Sequence, residues 1–175
     1  RAHGPRTDAG TRMSALMDID GACLCGHVSY AARIDPAKVR ICHCTQCQIQ
    51  SASAFRTGVL VEKENFRLLS GELKFHVKTA ESGKPRALAF CPECGTSIYG
   101  AAPVDPTTYS LRLGTARQRA ELEPTVQIWA RSAMPWLKRI ARIPKVDLQS
   151  GRPYVDDDAV GANGGADHAA HEVGR

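Results

Sequence analysis

Seven cysteines constrain this chain more than any other feature, because none of them stands alone. They fall into three clusters: "CLC" with Cys23 and Cys25, "CHCTQC" with Cys42, Cys44 and Cys47, and "CPEC" with Cys91 and Cys94. An odd number leaves any complete disulfide framework one thiol short. Cysteines used as core filling would scatter, whereas thiols this close in sequence suit ligation of a soft metal ion. The first and last clusters each end in glycine, Gly26 and Gly95. A tight turn that presents two thiolates draws backbone N–H groups toward sulfur. It often needs a positive φ at the next residue, which glycine adopts at little cost. Two such turns supply four thiolates, a closed tetrahedral set. Cys23, Cys25, Cys91 and Cys94 are therefore expected to hold a structural zinc.

Subtraction leaves Cys42, Cys44 and Cys47. Cys42 and Cys44 share one side of an extended segment, and Cys47 can return to them through a turn. Gln48, not glycine, follows Cys47, so this cluster is not a third copy of the same turn. Three ligands and an open position form the pattern of a catalytic zinc. His43 is of ligand type, but between Cys42 and Cys44 it should point to the opposite face. His27 and His76 are expected to be surface or core histidines.

The rest of the chain reads as mostly β. "HVSYAARI" (27–34) has β-branched and aromatic residues in partial alternation, as a strand does. Several short strands are expected within 55–79, with turns at Asn65 and Ser70–Gly71. "RALAF" (86–90) and "YSLRLG" (109–114) are further candidates. Prolines at 85, 92, 103, 106, 124 and 135 stop long helices, and only "MPWLKRIARI" (134–143) has room for a short helix. The polar opening stretch, residues 1–16, is expected to be a disordered leader or a cloning remnant, with Met13 a plausible true start. The Gly-, Ala- and Asp-rich end, residues 151–175, offers little to bury and is expected to be disordered. The expected folded unit is 17–150. No apolar run approaches the roughly 18 residues that cross a bilayer, and "MDID" puts acids where the apolar core of a secretion signal is expected. No membrane partner and a cytoplasmic location are the expectation. The net charge of +5 suits either an anionic partner, a small acid or nucleic acid, or ordinary surface charge for solubility.

"GACLCGHVSY", "CHCTQC" and "FCPECGT" together resemble the glutathione-dependent formaldehyde-activating enzyme (GFA) family, whose domain also occurs in centromere protein V. The resemblance runs from about Gly21 to about Trp136 and includes "FRLLSGELKFH" and "SAMPW". It implies a β-tent fold of short antiparallel sheets stapled by a structural zinc at Cys23, Cys25, Cys91 and Cys94. It also implies a second zinc at Cys42, Cys44 and Cys47, open toward substrate and forming the catalytic site. The implied activity is that of a carbon–sulfur lyase that joins glutathione to formaldehyde as S-hydroxymethylglutathione. Where the family usually shows an arginine and then a glycine after the third cysteine, this chain has Gln48 and Ala52. Where the family has an acidic pair after "GT", it has Ala116 and Arg117.

A free thiol is mostly protonated at neutral pH, and its thiolate is the nucleophile. An open metal position favours that thiolate. Glutathione carries two carboxylates, for which Arg56, Lys84, Arg86 and Arg131 are candidates by charge and by nearness to the motifs. The alternative is a zinc-stapled binding module without catalysis, for nucleic acid or protein. "RSAMPWLKRIARIPK" (131–145) would then set its cations and Trp136 against a phosphate backbone. Reversible oxidation of the Cys42 cluster is compatible with either reading.

Overall fold

The strands of this chain pair into two sheets. The computed structural model describes residues 15–149. The expected leader, apart from Ala15 and Leu16, and the expected tail lie outside the described residues. The smaller sheet is antiparallel, in the order β1 (Met17–Ala22), β2 (Ser29–Ile34), β5 (Phe66–Ser70). In β2 the sequence "SYAARI" turns Tyr30, Ala32 and Ile34 inward and leaves Arg33 in water.

The larger sheet contains β3 (Arg40–Cys42), β4 (Arg56–Glu62), β6 (Lys74–Thr79), β7 (Pro85–Phe90), β8 (Ser97–Ala101), β9 (Thr108–Arg112) and β10 (Val126–Ile128). Its order is β10-β3-β4-β9-β8-β7-β6. Every pairing is antiparallel except β10 on β3, which is parallel. One continuous core draws on both sheets: Ile19, Tyr30 and Ile34 from the first, Val59, Val61, Ile98 and Leu111 from the second. The Phe66 ring of β5 fastens them together, with ring centroids 5.5 Å from Tyr30 and 5.3 Å from both Tyr99 and Tyr109. Aromatic packing of this kind contributes beyond the area it buries.

The mostly β expectation, with small antiparallel sheets, holds. One α-helix was not foreseen: α1 (Thr45–Ser51) runs straight out of the second cysteine cluster. It is two turns long and rich in glutamine, so it shows no apolar stripe by which to recognise it. Cys44 is its N-cap, and the Cys44 sulfur accepts the Cys47 N–H at 3.3 Å. Thus Cys47 returns toward Cys42 and Cys44 through the first turn of a helix. The described chain divides into two compact units between Met134 and Pro135. The second unit begins with the 3-10 helix Pro135–Arg142, where the sequence allowed a short helix.

Candidate metal centres and active site

The turn between β1 and β2 carries Cys23 and Cys25, and the turn between β7 and β8 carries Cys91 and Cys94. The two turns are built alike. The Gly26 N–H donates to the Cys23 carbonyl at 3.1 Å and the Gly95 N–H to the Cys91 carbonyl at 2.9 Å. Both glycines have the positive φ that the spacing required, +79° and +72°. The Val28 N–H donates to the Cys23 sulfur at 3.2 Å. The fold brings the four sulfurs of Cys23, Cys25, Cys91 and Cys94 within 4.8 Å of one another. Thr96 ties the turns together: its hydroxyl oxygen accepts the Leu24 N–H at 3.1 Å and sits 3.1 Å from the Cys94 sulfur.

Cys42 at the end of β3, Cys44 at the helix cap and Cys47 in α1 form a second group, again with sulfurs within 4.8 Å. All three are buried, and Ile128 and Trp129 pack against them. The His43 ring faces away. Its Nε2 lies 2.8 Å from the Gln127 amide oxygen, and its edge meets Phe55. Neither His27 nor His76 joins a cluster among the described residues.

The seven cysteines are free thiols. In each group, crowding splits the protons unevenly. A hydrogen bond from Cys47, helped by the Cys44 N–H and the Arg56 charge, pulls Cys42 down to about 5 against its burial. Cys47 is pushed up, by Cys42 first and by burial next. Bonds from the Thr96 hydroxyl and N–H bring Cys94 down to about 5. Sulfurs this close cannot all be thiolates without a cation among them. Soft sulfur donors at such separations suit zinc.

The three-cysteine group opens on a cavity of about 420 Å³. Its wall carries Arg40, Arg56, Lys78, Lys84, Arg86 and Arg112, with Glu81 as the acid on its lining. Glu81 is paired with Arg131 at 3.5 Å. Of the cations nominated from sequence, Arg56, Lys84 and Arg86 reach this cavity. Arg131 does not line it; its guanidinium lies 4.9 Å from the Trp129 ring centroid. Sequence reasoning missed Arg40, Lys78, Trp129 and Arg112. Arg112 did leave a signal, a charge set between two leucines in "SLRLG". Burial, then the Arg56 charge, pushes Arg112 down to about 9 and lowers Arg40 as well. A larger cavity of about 600 Å³ over the smaller sheet has no thiol on its lining.

A mostly β domain with two all-cysteine groups, one joining its sheets and one facing a cationic cavity, defines a class of domain whose thiols could hold metal ions. Within that class, the chain belongs to the glutathione-dependent formaldehyde-activating enzyme family, whose sequence profile matches residues 18–132. It is 31% identical over 86 residues to a Schizosaccharomyces pombe protein named as an uncharacterized lyase. That match covers 49% of this chain and 59% of the yeast protein. A Rhodobacter sphaeroides protein of known crystal structure is 17% identical, with a TM-score of 0.48 over 62% of this chain and 98% of that one. Among the described residues, no helix is long and apolar enough to cross a membrane.

Proposed function

We propose that this protein is a zinc-dependent enzyme of the carbon–sulfur lyase type, joining a small thiol, glutathione, to an aldehyde, formaldehyde, as an S-hydroxymethyl adduct. The observation that carries the proposal is the pairing of a three-thiol group with a cationic cavity, beside a four-thiol group that needs no further ligand. Cys23, Cys25, Cys91 and Cys94 would hold the structural zinc, and Cys42, Cys44 and Cys47 a second one. Zinc bound at the three-cysteine set would lower the pKa of an incoming thiol and so supply its thiolate at neutral pH. The thiolate attacks the aldehyde carbon, a C–S bond forms, and the aldehyde oxygen takes up the proton that the thiol gave up. The residues of the chain bind and orient. Arg40, Arg56 and Arg86 attract an anionic thiol into the cavity, and Ile128 and Trp129 keep water off one side of the sulfurs.

Zinc release to a chelator tests this. A set of three protein ligands lacks one metal bond, so Cys42, Cys44 and Cys47 should release their ion first. Glutathione should slow that release, and Cys47→Ser should abolish the first phase. The first phase should quicken as pH falls, because thiols must be deprotonated to hold metal. Two ions released at one rate, indifferent to glutathione, would overturn the proposal. Tight nucleic-acid binding that survives Cys47→Ser, with no thiol bound, would favour a binding module instead.

A further inference from the structure

We infer that Arg112 and Arg56 form a carboxylate anchor that makes the three-cysteine site select an acidic thiol over a neutral one. This rests on the thiol binding proposed above. Arg112 ends β9 and is only 6% exposed. Its Nε donates to the Ser97 hydroxyl at 3.4 Å, Nη1 to the Ser110 carbonyl at 3.2 Å and Nη2 to the Gln50 amide oxygen at 3.2 Å. All three acceptors are neutral. Each terminal nitrogen carries two N–H groups and makes one of these bonds, so each keeps an N–H to offer. The backbone makes room for this side chain at Gly100, where a Cβ would come within 3.1 Å of Nη2.

Arg56 converges on the same point. Its Nη1 donates to the Gln50 amide oxygen at 3.3 Å, so two guanidinium groups share one uncharged acceptor. Arg40 and Arg86 add further positive charge to the same wall. Among the described residues, no carboxylate pairs with any of the four, and Glu81 is taken by Arg131. A buried charge without a counter-ion is costly. A divalent ion on three thiolates leaves a single negative charge, too little to offset four guanidinium groups.

An anion that answers these charges has a definable shape. Its charge must reach Arg112 and Arg56 while its sulfur reaches Cys42, Cys44 and Cys47, since both arginines line the cavity of the cysteines. A carboxylate meets a guanidinium with two parallel hydrogen bonds, the arrangement for which arginine is better suited than lysine. The same two arginines also line an adjoining cavity of about 410 Å³, so their guanidinium groups are reached from two sides. A thiol and a carboxylate on one flexible chain satisfy both ends.

Titration calorimetry on the zinc-loaded full chain tests the anchor, using glutathione and its diethyl ester. The expected result is that the ester binds roughly tenfold or more weakly. Arg56→Gln should weaken glutathione by a similar factor and leave the ester unchanged. Arg112→Lys, which keeps the charge but loses the paired N–H groups, should behave as Arg56→Gln does. An unchanged affinity for the ester in each variant also reports an intact site. Equal affinity of acid and ester for the native protein overturns the anchor and leaves thiol binding standing. Equal loss of both ligands in the variants also overturns it, by showing a structural role. If neither thiol binds the native protein, the underlying reading of the cysteine site fails and the anchor falls with it.

Discussion

Ala52 shows how one position can be right for the family and wrong in residue type. It caps the C-terminus of α1 at φ +47°, ψ +40°, in the left-handed region. Its N–H closes the helix on the Gln48 and Ile49 carbonyls. Glycine, which the family usually carries here, occupies that region freely, whereas a Cβ crowds the neighbouring carbonyl. Ala52→Gly should therefore stabilise the protein by about 0.5 to 1 kcal/mol, the relief of strain being partly offset by the freedom glycine adds to the unfolded chain. Urea unfolding measures it, and a loss of stability would refute the strain. Gln48, in place of the usual arginine, has a structural task. It is buried, and its amide donates to the His43 carbonyl at 2.7 Å and the Ser132 carbonyl at 2.8 Å. The substitution of both residues was legible in the sequence. What they do was not, because Ala52 closes a helix that has no apolar stripe and Gln48 reaches Ser132 on a distant segment of the chain.

Among the strands, β2, β4, β7 and β9 were legible because each alternates or carries β-branched and aromatic residues. β1, β3, β8 and β10 were not singled out. β3 and β10 are three residues each, too short to display a period, and their parallel pairing joins segments more than eighty residues apart. The pairing of β1 with β2 depends on close approach. A Cβ on Gly21 would stand 2.4 Å from both the Tyr30 hydroxyl and the Thr115 carbonyl oxygen. Tyr30 is fully buried and its hydroxyl lies 2.9 Å from that of Thr115. Neither the backbone oxygen nor the enclosed ring can give way. Gly21→Ala should cost about 2 kcal/mol or more in thermal or urea unfolding, and a neutral outcome would show that the sheet yields there. Ala116 and Arg117 also belong to this junction. Ala116 is fully buried and bridges to Gly21, and Arg117 forms an ion pair with Asp20.

Across the molecule, the four-cysteine group links a turn of the smaller sheet to a turn of the larger one, while Cys42, Cys44 and Cys47 lie at the edge where β3, β10 and α1 meet. Metal bound by the first group would clamp the two sheets and so contribute directly to folding. Cys23→Ser should lower the melting temperature of the zinc-loaded protein by on the order of 10 °C or more, and Cys44→Ser by only a few degrees. Equal losses would mean that the division of labour between the groups is wrong. Local spacing determined which cysteines share a turn and where two glycines with positive φ must stand, because a turn that presents two thiols is built from consecutive residues; the meeting of the Cys23–Cys25 turn with the Cys91–Cys94 turn is the work of the tertiary structure. The mostly β class followed in the same way from patterns a few residues long. Only the tertiary structure decided what faces the three-cysteine group. Arg40, Arg56, Arg86 and Arg112 come from four different strands, and they share one wall because β3, β4, β9, β8 and β7 lie side by side in that order. Such a convergence of charge is a property of sheet order, which no local pattern encodes.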